Sequence, residues 1–598
     1  MRLLSGSAPG TRVRRLMRCL PPGIWLACFA AQAQIPAQDA RNADLPNTDT
    51  HFAPRPYKSL DEWRARREVL RKQILSAAGL MPMLPKTDLH PQIFGRIENK
   101  DYSIEKVLLE TLPGFYLGGN LYRPLRAAPP DGFPAVLSPH GHWNYGRLEH
   151  TEIASIPARC IMLARQGYVV FAYDMVGFND TIQTPHEFGD KPLEQIWSFG
   201  PLGLQLWNAI RGIDFLESLP GVNPHRIGAT GASGGATQTI LISAVDDRIR
   251  FSAPANMVSF IMQGGSLCEN APNLRLGTNN VELAAMMAPR PMLMAGATGD
   301  WTRNMLQEEY PAVRAIYDLY GKGGDVETFF QTAPHNYNKP SRDAMYAFFG
   351  KHVLGENDAS KLKEKSVRIE PLQDMLVLHN RKLPDNALNF QQVFELWVHL
   401  SNQQTDDLRE RLTLALAAEW PEQVLSQSDG EHILLGRPGK GDRIPGIWVK
   451  GANPPALVVD PDGAEAARKS LEVTRLLETG RAVLMIDAFQ TGSAKAPRDH
   501  SVKMFLTFNK SDDANRVQDI LTALAWLNNP RTRLMGTGKA AVWCLFAAAV
   551  APRAVDLQAD PGGFRGMDED FVDGFFVPGI QRAGGLRAAR QLVAASAH

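Results

Sequence analysis

The stretch from Arg226 to Thr239 constrains this chain more than any other. Within it, Gly231-Ala232-Ser233-Gly234-Gly235 spells G-x-S-x-G. The segment ending at Thr230 reads as a short buried strand, and the apolar run Thr239 to Val245 suits a helix. Strand, tight turn and helix form the setting in which this motif presents a nucleophile. A serine on so sharp a turn needs small neighbours where backbones approach, and Gly231 and Gly235 supply them. The N–H of Gly234, opening the helix, can then face a developing oxyanion.

The rest of the first half supplies partners for such a serine. Strands are expected at Tyr102–Leu112, Gly118–Tyr122, Pro134–Ser138, Gly167–Asp174, Arg290–Gly296 and Val326–Gln331. Helices are expected from a Ser59/Glu62 capping box to Ala78, then at Ile156–Gln166, Leu202–Leu216, Glu308–Tyr320 and Ser341–Val353. Alternating strands and helices mean an α/β fold with a mostly parallel sheet and helices on both faces. A serine hydroxyl becomes a nucleophile only when a base takes its proton and a third group orients that base. Asp300 at a strand end and His335 in the loop after the next strand follow Ser233 in that order. The loop His140-Gly141-His142-Trp143 follows a strand, so an N–H near His142 is the candidate second oxyanion donor, with His140 in support. The turn-rich segment Gln263–Pro272 and its surroundings offer Glu269, Asn270 and Arg275 as ligands for sugar hydroxyls or a carboxylate, or as internal braces. Trp143, Trp197 and Trp301 could stack on sugar rings, whereas Trp207 on its amphipathic helix reads as core.

Length and charge narrow the class. A chain of 598 residues favours several domains. A formal net charge of +1 gives no reason to expect a nucleic-acid partner. Residues 1–33 hold Arg2, Arg12, Arg14, Arg15 and Arg18 with no acid, then an apolar run and Ala31-Gln32-Ala33, which is a secretory signal pattern. An exported, periplasmic or extracellular protein is expected; a twin-arginine signal at Arg14-Arg15 and lipidation at Cys28 fit their patterns less well. No later run suggests a membrane span. Cys160, Cys268 and Cys544 are dispersed, forming neither a disulfide framework nor a spaced metal site, so no metal or cofactor is expected.

The catalytic unit spans residues 34–355, followed by a polar linker at 356–387. Residues 388–598 then read as a worn, incomplete copy of the first half, entered through a helical piece near Asn389–Trp420. Ile444–Val449, Pro455–Gly463 and Thr479–Asp487 mirror earlier strands, and Gly536-Thr537-Gly538-Lys539-Ala540 falls where the serine turn should be. Gly538 stands at the position of Ser233 and Asp462 at that of His140, so this copy lacks a nucleophile. Two unrelated α/β segments are the alternative.

Together the serine turn, Tyr173-Asp174-Met175-Val176-Gly177, Leu206-Trp207-Asn208, Gln263-Gly264-Gly265 with Cys268-Glu269-Asn270, Ala288-Pro289-Arg290-Pro291, Gly299-Asp300-Trp301-Thr302 and Pro334-His335-Asn336-Tyr337 resemble secreted bacterial α/β-hydrolases of the acetyl-xylan-esterase-like and dienelactone-hydrolase-like group. The resemblance covers about residues 55–355. It implies an α/β-hydrolase fold, Ser233, Asp300 and His335 as catalytic residues, and ester bonds of polysaccharides or oligosaccharides as substrates. Two departures stand out: dienelactone hydrolases use cysteine where Ser233 stands, and glucuronoyl esterases carry arginine where Gly234 stands. The expected function is an exported serine esterase acting on carbohydrate esters through an acyl-enzyme. A peptidase on the same fold, or a non-catalytic carbohydrate-binding or scaffold protein, are the alternatives.

Overall fold

The computed structural model describes residues 34–596; the expected signal segment, 1–33, lies outside the described residues. The first half builds a nine-stranded sheet. Its strands are β1 Gln92–Glu98, β2 Tyr102–Leu112, β3 Phe115–Pro124, β4 Phe133–Leu137, β5 Val169–Tyr173, β6 Val222–Ala232, β7 Ile249–Ala255, β8 Met292–Gly299 and β9 Val326–Pro334. The order is β1-β2-β3-β5-β4-β6-β7-β8-β9. The first four in that order pair antiparallel, and from β5 across to β9 every pairing is parallel. β5 reads Val-Val-Phe-Ala-Tyr and is buried throughout, as a central parallel strand covered on both faces must be. The fold is that of an α/β-hydrolase.

Of the helices α1 Leu60–Ala77, α2 Ile156–Gln166, α3 Pro201–Ser218, α4 Gly234–Val245, α5 Glu309–Leu319 and α6 Lys339–Phe349, the last five pack on this sheet and α1 packs on α4 and α5. The Ser59 hydroxyl caps α1 by accepting the Glu62 N–H at 3.2 Å, while the Glu62 carboxylate reaches the Lys58 N–H at 2.8 Å. Two strands, β1 and β7, were not expected. β7 carries Arg250 and Pro254, which argue locally against a strand; pairing with β6 (Thr230 opposite Ala253, Ala232 opposite Ala255) overrides that preference.

Residues 356–387, expected as a linker, are packed down instead. Met375 and Val377 are buried, Asp180 accepts the N–H groups of Val377 and Leu378 at 2.9 and 2.8 Å, and Asn120 donates to the Met375 carbonyl at 2.9 Å. The chain then enters α7 Phe390–Asn402 and α8 Leu408–Ala415. A seven-stranded sheet follows, with β10 Leu425–Asp429, β11 His432–Gly436, β12 Ile444–Val449, β13 Asn453–Val459, β14 Arg481–Ile486, β15 Arg533–Gly536 and β16 Asp556–Ala559. Its order, β10-β11-β12-β14-β13-β15-β16, and the sense of every pairing repeat those of β1 to β7. After β16 the chain crosses back to the first half: Arg582 donates to the carbonyls of Gly79 (2.8 Å) and Pro82 (2.9 Å).

One apolar core runs through both halves, holding Trp63 and Trp207 of the first and Trp397 and Phe546 of the second. At the seam, Phe188 and Phe199 meet Phe390, Phe394 and Trp397 with ring centroids 5.2 to 5.9 Å apart. Trp197 belongs to this seam and is no sugar platform: it is buried, its indole N–H donates to Asp568 at 3.1 Å, and its carbonyl accepts from Trp397 at 3.0 Å. No helix among the described residues is long and apolar enough to cross a membrane.

Candidate active site

Ser233 sits between β6 and α4 with φ 57° and ψ −127°. Such a backbone costs a side-chain-bearing residue about 1–3 kcal/mol and persists only when its surroundings impose it. Here the Ser233 N–H donates to the Ala255 carbonyl of β7 at 3.1 Å, and its own carbonyl accepts from Ala236 and Thr237 in α4. The glycines are required by space. A Cβ on Gly231 would lie 2.5 Å from the Gly235 carbonyl oxygen, and one on Gly235 would lie 2.7 Å from the Pro139 oxygen.

Ser233, Asp300 and His335 all lie at the carboxyl-terminal edge of the parallel strands, at the ends of β6, β8 and β9. His335 Nδ1 is 2.9 Å from Asp300 Oδ2. The same carboxylate oxygen accepts from Asn256, while Oδ1 accepts from the Thr302 N–H at 2.7 Å and hydroxyl at 2.5 Å. Burial alone would raise the Asp300 pKa; the donors from His335, Thr302 and Asn256 outweigh it and hold the carboxyl below its ordinary value. An ionised carboxylate can only accept, so Nδ1 carries the imidazole proton and Nε2 presents a lone pair. That Nε2 is shielded from solvent and has no hydrogen-bond partner.

The indoles of Trp143 and Trp301 flank the His335 ring, with centroids 6.1 Å and 4.5 Å away and interplanar angles of 25° and 38°. Trp301 is further tied by its N–H to the Asn256 carbonyl at 2.8 Å. Both residues therefore pack on the imidazole.

The loop after β4 lies against the serine turn. A Cβ on Gly141 would stand 2.7 Å from the Ala232 oxygen and 3.1 Å from Ser233 Cβ. Beneath it, buried His140 accepts the Met175 N–H on Nε2 at 2.9 Å, so its proton is on Nδ1, which donates to the Gly141 carbonyl at 2.7 Å. Burial lowers the His140 pKa to about 3 and keeps the ring neutral. Behind it, Arg147 is buried between Asp174 and Asp180. Gly234 is the first residue of α4, where an N–H has no acceptor within the helix. A Cβ there would meet Met175 Cε at 2.6 Å and His142 Cε1 at 2.8 Å. An arginine at this position would displace both.

Glu269, Asn270 and Arg275 are buried and serve the loop itself, correcting their assignment to substrate. The Glu269 carboxylate accepts the Gly265 N–H at 2.8 Å, the Asn270 amide donates to the Ser266 carbonyl at 2.9 Å, and Arg275 donates to the Glu269 carbonyl, Asn270 and Asn280. Burial, followed by the Glu269 carboxylate, pushes the pKa of the Cys268 thiol well up. The second half closes over this loop, its Leu506 and Thr507 carbonyls accepting the Asn273 and Arg275 N–H groups at 2.8 and 2.9 Å. A cleft of about 640 Å³ lies beside that contact, lined by Phe188, Leu267, Met504 and Phe505 and not by Ser233. Sequence reasoning missed Asn256, which lies just past the unexpected β7. It also missed Thr302, whose spacing of two from Asp300 is a readable Asx-turn signal.

No protein-family model matches the chain. The solved structure of Methylesterase BT1017 aligns with a TM-score of 0.50 at 30% identity, covering 57% of this chain and 75% of that one. The curated 4-O-methyl-glucuronoyl methylesterase 1 of Wolfiporia cocos (strain MD-104) is 26% identical over 192 residues, 26% of this chain and 47% of that protein. The chain spans about half the length of the curated relatives it matches. By its identity to Methylesterase BT1017 and its coverage of that structure, this chain belongs to the α/β-hydrolase esterases.

Proposed function

We propose that this protein is an exported serine esterase that hydrolyses carbohydrate esters. The observation that carries the reading is the histidine: His335 Nδ1–H donates a hydrogen bond to Asp300 at 2.9 Å, which leaves Nε2 unspent and shielded. This is the state a general base for Ser233 needs. Ser233 Oγ attacks the ester carbonyl as His335 Nε2 takes its proton. The Gly234 and His142 N–H groups receive the oxyanion. His335 then protonates the departing alcohol oxygen, and water, deprotonated by the same nitrogen, clears the acyl-enzyme. Carbohydrate esters are favoured over peptides because both relatives above are named methylesterases, one of a glucuronoyl group. Export rests on the signal pattern of residues 1–33.

The test is release of methanol from methyl-esterified pectin and of acetate from acetylated xylan, with Ser233→Ala as control. Methanol lost in the mutant establishes a uronate methylesterase, and acetate lost in the mutant a deacetylase. Release of neither, with a chromogenic peptide cleaved instead, overturns the substrate class. Amino-terminal sequencing of protein recovered from the periplasm or medium checks export, which fails if the chain stays in the cytoplasm with residues 1–33 attached.

A further inference from the structure

Three side chains that the esterase chemistry leaves unused converge beside the serine turn. His142 Nε2 is 3.1 Å from His186 Nε2 and 3.0 Å from Cys268 Sγ, and the three donor atoms all lie within 4.8 Å of one another. They come from the loop after β4, the loop between β5 and α3, and the braced loop before Arg275. No sequence spacing could announce them, which is why no metal was expected from the cysteines and histidines.

The surrounding hydrogen bonds prepare these atoms. His186 Nδ1 is 2.8 Å from the Val176 carbonyl, which can only accept, so Nδ1 holds the proton and Nε2 presents its lone pair. A backbone carbonyl that holds the other ring N–H in this way is the usual outer partner of a metal-bound histidine. Ser266 Oγ lies 3.3 Å from both His142 Nε2 and Cys268 Sγ and 3.1 Å from Glu269, which accepts its proton, so a further oxygen lone pair faces the same point. Among themselves the groups are poorly matched: the lone pair of His186 Nε2 calls for a proton on His142 Nε2, whereas the Cys268 S–H calls for a lone pair on the same atom. Around one tetrahedral zinc ion, with bonds of about 2.0–2.1 Å to nitrogen and about 2.3 Å to sulfur, neighbouring ligand atoms stand roughly 3.3–3.6 Å apart. The two separations from His142 Nε2, to His186 and to Cys268, reach that with shifts of about 0.2–0.6 Å.

We propose that His142, His186 and Cys268 form a binding site for a thiophilic divalent cation, with zinc the ion whose ligand set they match. Two imidazole nitrogens and one thiolate make three protein bonds, which leaves a fourth position for water or the Ser266 hydroxyl. On binding, the metal–sulfur bond replaces the thiol S–H bond, and the proton leaves to solvent. The ion would tie the His142 loop to the Cys268 loop next to Gly234. The site stands whichever ester the enzyme takes.

Cobalt(II) titration of the chelator-stripped full chain tests it, because a thiolate-bound tetrahedral cobalt ion shows intense visible bands and a thiolate charge-transfer band. The wild type and Ser233→Ala should each take up one equivalent with these bands. Cys268→Ser should lose the charge-transfer band, and His186→Gln should bind at least about tenfold more weakly. Zinc should raise the melting temperature of the wild type and leave that of Cys268→Ser unchanged; circular dichroism of both variants confirms that they fold. Absence of a charge-transfer band in folded wild type, or equal uptake by wild type and Cys268→Ser, overturns the proposal.

Discussion

The two serine-turn positions of this molecule differ by one side chain. Ser233 follows β6 with φ 57°, and Gly538 follows β15 with φ 49°. Both turns are equally tight: a Cβ on Gly231 would lie 2.5 Å from the Gly235 oxygen, and one on Gly536 would lie 2.7 Å from the Ala540 oxygen. In each a helix follows, Gly234–Val245 in the first half and Ala540–Val550 in the second. Among the described residues, the second sheet has no counterparts of β8 and β9. Where β8 and β9 deliver Asp300 and His335, its chain leaves the sheet after β16 and packs Arg582 against the first half. The turn is thus a property of the sheet architecture, whereas the proposed chemistry draws on the side chain it carries and on two further strands.

That contrast can be broken most sharply at Ser233. Replacing it by alanine or glycine should lower kcat by about 10⁴-fold or more, measured on whichever ester the wild type cleaves. Gly538→Ser should restore nothing to that mutant; activity in the double variant would mean the second half is not catalytically empty. Next comes Asp300→Asn, expected to lower kcat by about 10⁴-fold by releasing the Nδ1–H tautomer of His335. A small loss would show that the Asp300 carboxylate is not what holds His335 in the Nδ1–H tautomer. Smaller is the effect at the seam. Trp397→Ala removes a fully buried indole shared by both halves and should destabilise by about 3–5 kcal/mol. Calorimetry should then resolve two unfolding transitions in place of one, and an unchanged single transition would contradict the shared core.

Two finer effects sharpen the comparison. Ser233→Gly converts the first turn into the second and relieves a positive φ, so it should be more stable than Ser233→Ala by on the order of 1 kcal/mol even though both are inactive. Gly538→Ser should lose a similar amount, and denaturant midpoints decide both. The smallest is a pH slope. His140, held neutral by burial at a pKa of about 3 against an ordinary 6.5, contributes stability that is complete above pH 6.5 and declines as the pH falls toward 3. Asp174, raised to about 6 by burial against the pull of Arg147, works in the opposite sense. Comparing His140→Gln with the wild type therefore isolates the histidine: its stability should fall less steeply between pH 6 and 4, by about one proton per molecule. Parallel curves would mean that His140 is charged in the folded state.

Sequence alone determined the parts of this protein that local chemistry dictates. The serine turn was legible because only small residues fit where backbones approach within 3 Å, and the buried strands because a parallel sheet demands unbroken apolar runs such as Val169–Tyr173. The order Ser233, Asp300, His335 was legible because each follows a strand end. Tertiary structure alone decided what depends on distant segments meeting. It formed β7 in spite of Arg250 and Pro254, and so placed Asn256 on the Asp300 carboxylate. It turned Glu269, Asn270 and Arg275 inward, because buried polar groups must find partners and the loop's own backbone was nearest. It laid Trp143 and Trp301 on His335 and gathered His142, His186 and Cys268 from three loops. A side chain's type is written in the chain, but its neighbours across the fold are set by packing, and for these residues the neighbours decide the role.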